Sequence, residues 1–138
     1  GYCRALHEYG IEIDEHLIVQ GDFSVTSAKE ATQQLLPYKP TAIFVSSDRM
    51  AAATIQVLND HHLNVPDDVA IVGFDDLPLA LTTTPPLTTI RQDVERLGIE
   101  SVHLLLDIIG SAHEKYEGRL LPSELIIRES CGAKKRST

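Results

Sequence analysis

Two runs of this sequence, Ala42-Ile43-Phe44-Val45 and Val69-Ala70-Ile71-Val72-Gly73-Phe74, are apolar almost throughout instead of alternating with polar residues. A strand with one face in water alternates. A continuously apolar strand is covered on both faces, which is the condition of a parallel sheet held between helices. Between the two runs, Met50, Ala53, Thr54, Val57 and Leu58 are spaced to share one face of a helix ending near His61, with Asp48 where an N-cap belongs. Strand, helix, strand is the unit of an α/β fold. A shorter run, Leu17-Ile18-Val19, bounded by Gly21-Asp22, predicts a further buried strand ahead of these, and Leu125-Ile126-Ile127 predicts the last one.

Helices fill the intervals. Ala5, Leu6 and Tyr9 fall at helical spacing and Gly10 follows where a left-handed residue ends a helix. Ser24, Thr26 or Ser27 can cap a helix running to about Leu36, closed by Pro37 and Pro40. The Thr- and Pro-rich stretch from Leu81 to Thr89 reads as a loop or crossover. Asp93 can then cap a long helix whose stripe Val94, Leu97, Ser101, Leu104, Leu105, Ile108 and Ile109 recurs at three and four, ending at Gly110. Residues 111–118 read as a polar loop and 131–138 as a disordered tail.

At 138 residues, with 43% hydrophobic side chains, the chain is long enough for one core. Its net charge of −8 repels phosphate backbones and anionic membrane, so direct nucleic-acid binding is not expected of these residues. No apolar run approaches the ~18 residues of a membrane span, and the start at Gly1 has no signal-peptide core, so a cytosolic location is expected. Cys3 and Cys131 lie near opposite ends without metal-ligand spacing and are expected to be free thiols. The adjacent His61 and His62 point apart at a helix end and are not expected to bind metal.

Ligands of parallel sheets bind beyond the carboxyl ends of the strands. Three predicted strand ends deliver Gly21-Asp22-Phe23, Ser46-Ser47-Asp48 and Gly73-Phe74-Asp75-Asp76. An aromatic face, hydroxyls and carboxylates together suit a neutral polyol or sugar, stacking on its C–H face and accepting from its hydroxyls. Each residue also has a plainer reading: Phe23 as a core plug, Asp48 as a helix cap, Asp75 and Asp76 as turn carboxylates. No hydrolase, phosphate-loop or metalloprotease motif occurs, and an aspartate-based enzyme has no motif in its favour.

Five ordered segments then carry a family likeness: Pro40-Thr41-Ala42-Ile43-Phe44, Ser47-Asp48-Arg49-Met50-Ala51, Leu63-Asn64-Val65-Pro66-Asp67-Asp68-Val69, Val72-Gly73-Phe74-Asp75-Asp76 and Pro85-Pro86-Leu87-Thr88-Thr89-Ile90-Arg91-Gln92. They resemble the effector-binding core of LacI/GalR-type bacterial transcription regulators. The resemblance implies a Rossmann-like, three-layer α/β lobe of the periplasmic-binding-protein type, its parallel sheet flanked by helices. Residues 1–93 and 122–130 correspond to the C-terminal lobe of a two-lobed core, and residues 94–121 to a helix and loop that in relatives pack on the other lobe.

Carried over by position, Phe23 matches the aromatic residue that stacks on the effector, Ser47 stands where an Asn contacts ligand hydroxyls, and Asp75 matches the acid that accepts from the ligand. Asp48 fits a family acid as helix cap or pocket support. Ala52 and Gln56 on the helix, with Leu77, Leu79 and Thr83 beyond the next strand, correspond to a homodimer interface. The resemblance thus implies a non-enzymatic sensor of a small sugar or nucleoside-like effector. It needs no cofactor, and operator DNA is met through a headpiece outside these residues. A fragment of a periplasmic sugar-binding protein is the alternative.

Overall fold

The computed structural model describes residues 1–110 and 118–133; residues 111–117 of the loop expected over 111–118 and residues 134–138 of the tail expected over 131–138 lie outside the described residues. In chain order the elements are α1 (Tyr2–Glu8), α2 (Val25–Leu35), β1 (Ala42–Phe44), α3 (Asp48–Asp60), β2 (Ala70–Asp75), β3 (Thr88–Gln92), α4 (Val94–Gly110) and β4 (Ser123–Ile126). Short 3-10 turns occupy Glu15–Leu17, Leu36–Tyr38 and Pro78–Leu81.

The strands form one sheet in the order β1-β2-β3-β4, parallel across the first three and antiparallel between β3 and β4. Ile71 and Gly73 of β2 point into the buried side, while Ala70, Val72 and Phe74 on the opposite face remain partly exposed. The buried side receives α3 and α2: Leu58, Ala51, Ile71 and Leu87 are wholly buried together with Met50, Ala53, Ile55 and Ala28. Even the polar contact in this layer is satisfied, with Thr32 Oγ1 donating to Ala28 O and lying 3.1 Å from Thr54 Oγ1 across the two helices.

Local signals act as read in several places. Gly10 adopts φ +67°, its N–H bonds His7 O and the Ile11 N–H bonds Leu6 O, closing α1 with a left-handed cap. Ser24 caps α2 by accepting from Ser27 N at 3.0 Å, and Asp93 caps α4 by accepting from Arg96 N at 2.9 Å.

Three expectations are corrected. Leu17-Ile18-Val19 is not a strand: Asp14 accepts from His16 N at 2.9 Å, turning the chain into a 3-10 helix, and Ile18 is 45% exposed. Three apolar residues carry no period, so the turn chemistry at Asp14 decides. The stretch read as a loop through Thr89 instead delivers β3, whose Thr88 and Thr89 are buried in the middle of the sheet. Asp48 is not the cap of α3. That position is Ser47, whose hydroxyl accepts from Met50 N at 3.3 Å, and Asp48 is the first helical residue.

The far end of the chain locks the start of the sheet. Ser130 is wholly buried; its Oγ accepts from Thr88 N at 2.8 Å and donates to Ile71 O at 2.7 Å, bridging the mouths of β2 and β3. Arg128 N donates to Thr88 Oγ1 at 2.9 Å and its guanidinium to Leu87 O at 2.8 Å. By contrast α4 buries no residue: Val94, Leu106 and Ile109 are each more than half exposed. No helix among the described residues is long and apolar enough to cross a membrane.

Candidate functional site

Because β1, β2 and β3 are parallel, their carboxyl ends fall on one edge of the sheet. Val45-Ser46-Ser47 leaves β1 there, Asp75 ends β2 and Gln92 ends β3. The turn holding Phe23 joins the same edge through packing. A Cβ on Gly21 would meet Met50 Cε at 2.6 Å, so this turn lies directly against the first turn of α3, which Ser47 opens.

Phe23 is 65% exposed and adopts φ +66°, which removes the core-plug reading. Asp22 accepts from Ser24 N at 2.9 Å across it, and side-chain hydrogen bonds with Ser24 and then Ser27 hold the Asp22 carboxyl down at about 2. An ionised Asp22 thus staples the turn that presents the ring. Ser47 is buried, yet its hydroxyl spends only an acceptor site on Met50 N and keeps its own proton to donate.

Asp75 adopts φ +108°, and its Oδ1 accepts from Gln92 Nε2 at 3.1 Å. Asp76, beside it at φ +53°, is committed elsewhere: Arg128 donates to its Oδ1 and Arg91 to its Oδ2, both at 2.6 Å. Burial alone would raise the Asp76 carboxyl, but the bonds from Arg128 and Arg91 outweigh it and hold it below its ordinary range. Two adjacent acids therefore divide their work, Asp76 fixing the sheet and Asp75 facing the edge.

Among the described residues five non-glycine residues have positive φ, and three of them, Phe23, Asp75 and Asp76, stand at this edge. Backbone strain of that kind costs about 1–3 kcal/mol per residue and clusters where function requires a particular presentation. Asp48 lies behind the edge, wholly buried, its Oδ2 accepting from Leu77 N at 2.7 Å and its Oδ1 from Thr89 Oγ1 at 2.5 Å. Burial raises its carboxyl, the bonds from Thr89 and Leu77 work against that, and the charges of Asp75 and Asp76 add to the rise.

Sequence reasoning passed over Gln92, Thr89, Arg91 and Arg128. For Gln92 a signal exists, since it is the residue that ends β3, but the loop expected through Thr89 takes in the first two residues of that strand and no strand is expected there. The surface residues expected to meet a second copy lie where α3 and the 3-10 turn Pro78–Leu81 adjoin: Gln56, Leu77 and Leu79 are exposed, Ala52 and Thr83 partly so. No group of three or more His, Cys, Asp and Glu placed to hold a metal occurs among the described residues.

Known proteins resemble this chain in sequence and fold. The family described as periplasmic binding protein-like domain matches residues 1–131. The HTH-type transcriptional repressor CytR of Escherichia coli K12 is 42% identical over 135 residues, 96% of this chain and 40% of that protein. The HTH-type transcriptional regulator DegA of Bacillus subtilis is 40% identical over 132 residues, covering 94% and 39%. A solved complex of the transcriptional regulator CelR with cellobiose superposes with a TM-score of 0.85 at 37% identity, over 94% of this chain and 40% of that one. The lac repressor dimer bound to operator and anti-inducer superposes at 0.81 with 33% identity, over 95% and 39%. The chain thus spans about 40% of the length of the curated relatives it matches.

Proposed function

The chain belongs to the periplasmic binding protein-like domain family, and from that premise we propose that it is the effector-sensing and dimerising part of a bacterial LacI/GalR-type transcription regulator. The carrying observation is the edge itself, where an exposed aromatic ring, a hydroxyl with a free proton and a half-committed carboxylate stand at the carboxyl ends of three parallel strands. Phe23 stacks on the apolar face of the effector, Ser47 donates to it, and Asp75 accepts from its hydroxyls through the oxygen that Gln92 leaves free. The ligand class is a small sugar or nucleoside-like molecule.

In this reading residues 1–93 and 122–130 form the C-terminal lobe, and α4 carries its apolar face to a second lobe. Effector between the lobes favours one relative orientation of two, and the shift is bounded by its differential affinity for them. The surface of Ala52, Gln56, Leu77, Leu79 and Thr83 pairs two copies, and operator DNA is met by residues outside this chain, in keeping with its acidic charge. The protein is then cytoplasmic and carries out no catalysis. The transport-type alternative has less behind it, since the named relatives are transcription regulators.

A thermal-shift screen of sugars and nucleosides tests the reading. A stabilising hit, lost with Phe23→Ala or Asp75→Ala while the unliganded melting temperature holds, is expected. No hit from either class overturns it.

A further inference from the structure

The effector-facing reading uses Phe23, Ser47 and Asp75 and leaves unexplained why a wholly buried carboxylate sits directly behind them. Asp48 has two neutral donors for partners, the Leu77 N–H at 2.7 Å and the Thr89 hydroxyl at 2.5 Å. The charges of Asp75 and Asp76, at and just beyond the end of β2, repel it, and Arg91 and Arg128 donate to Asp76 instead. Burying a carboxylate this way is unfavourable unless its bonds accomplish something a smaller neutral residue could not.

Its position shows what that is. Asp75 and Asp76 are consecutive residues with positive φ, and the N–H captured by Asp48 belongs to Leu77, the residue at which the backbone returns to an ordinary conformation at φ −66°. The other oxygen is anchored to Thr89 on β3, and Gly73 of β2 leaves no room beside the carboxylate for a Cβ. One side chain thus ties the first turn of α3, the strained turn after β2 and the middle of β3.

We propose that Asp48 is a positioning residue, a buried latch that holds the Asp75-Asp76 turn in its strained form and so fixes both the presentation of Asp75 and the seat of the 77–81 segment against α3. Its importance for effector binding and for the pairing of copies rests on the function proposed above; the latch itself rests on the bonds. The bridging geometry is what matters. An asparagine reproduces it, its carbonyl accepting from Leu77 N and its amide donating to the Thr89 hydroxyl, which rotates to accept. An alanine abolishes it.

Hydrogen-exchange NMR on the chain at high dilution, with Asp48→Ala and Asp48→Asn, reads this directly. In Asp48→Ala the Leu77 amide exchanges at least about tenfold faster relative to the amides of Val45 and Ile71, which are bonded to Val72 O and Ser130 O, and the Cα shifts of Asp75 and Asp76 move from their positive-φ values. In Asp48→Asn both stay close to the parent, within about twofold for the exchange. Unchanged Leu77 exchange in Asp48→Ala, or a uniform acceleration across all amides with unmoved Asp75 and Asp76 shifts, overturns the latch. Should Asp48→Ala not fold, Asp48→Asn decides: fast Leu77 exchange in it means that charge, not bridging, was the role, and overturns the proposal, while parental exchange and parental Asp75 and Asp76 shifts uphold it. These readouts need neither effector nor second copy. An intact latch beside a blank ligand screen therefore sinks only the sensing reading, and the reverse pattern sinks only the latch.

Discussion

α3 and α4 carry the same kind of sequence pattern and meet opposite fates. Both repeat apolar residues at three and four. α3 buries Met50, Ala51, Ala53, Ile55, Val57 and Leu58 against the sheet and α2, whereas α4, longer and more apolar on average, buries nothing and leaves Val94, Leu105, Leu106 and Ile109 more than half exposed. Helical periodicity says that a helix has a partner and which face it turns to it. It does not say where the partner is.

The sharpest test of that contrast is the same truncation on each helix. Leu58→Ala leaves a cavity in a closed core and is expected to cost about 2–5 kcal/mol in urea unfolding. Leu106→Ala, at 59% exposure, should stay within about 0.5 kcal/mol. Comparable losses at the two positions would mean that α4 packs in solution against this same domain.

Ion pairs extend the comparison at a smaller scale. Arg128, 12% exposed, holds Asp76 in the turn that follows β2, and Arg128→Ala removes charge-assisted bonds to Asp76 and Leu87 O, a loss of roughly 1.5–3 kcal/mol. Arg119, 43% exposed, pairs with Glu100 and Asp107 along α4, and because solvent screens such a pair its removal should cost less than that of Arg128. A reversed order of the two in chemical denaturation would break the contrast between a locked sheet and an open helix.

The pH dependence carries opposite signs within the locked region. Asp76 is held below its ordinary range by Arg128 and Arg91 against the effect of burial, so the stability it contributes is present at neutral pH and is lost as pH falls below the ordinary carboxylate range. Asp48 is raised by burial, so between its ordinary and raised values the folded state binds more protons than the unfolded one. Stability then grows as pH falls through the raised value. Asp48→Asn is expected to remove that acid-side gain from a melting-temperature profile while leaving the loss at lower pH. An identical profile in parent and variant would mean that Asp48 titrates as it does in the unfolded chain.

How far the sequence could be read follows the range of the interactions concerned. β1, β2 and α3 were legible because apolar periodicity is local. β3 was not, since Thr88 and Thr89 are buried through partners 40 or so residues away, with Ser130 and Arg128 satisfying Thr88 and Asp48 engaging Thr89, and a polar β-branched pair after Pro85-Pro86 looks like loop until those partners are known. At the site, the composition of the edge was visible but not the division of labour between neighbours. Ser47 rather than Asp48 caps α3, and Asp76 rather than Asp75 takes the arginines, because a one-residue difference in direction is set by tertiary bonds.

A small expected stability effect is the most informative about the edge. Phe23 exposes 65% of its surface at a backbone conformation that suits glycine, with Asp22 bonding across it to Ser24 N. A residue chosen for folding alone would be glycine there, which takes φ +66° without steric cost. Phe23→Gly should therefore leave urea stability unchanged or raise it by up to about 1 kcal/mol, the relief of strain offsetting the added freedom of the unfolded chain. Binding of whichever sugar or nucleoside stabilises the parent should fall at the same time. A loss of more than about 1 kcal/mol in stability would mean that the ring packs where it is seen exposed. That result would return Phe23 to the same standing as Leu58, an apolar side chain kept for the fold. Retained stability with lost binding sets it beside the face of α4, apolar surface kept for something other than this domain's own core.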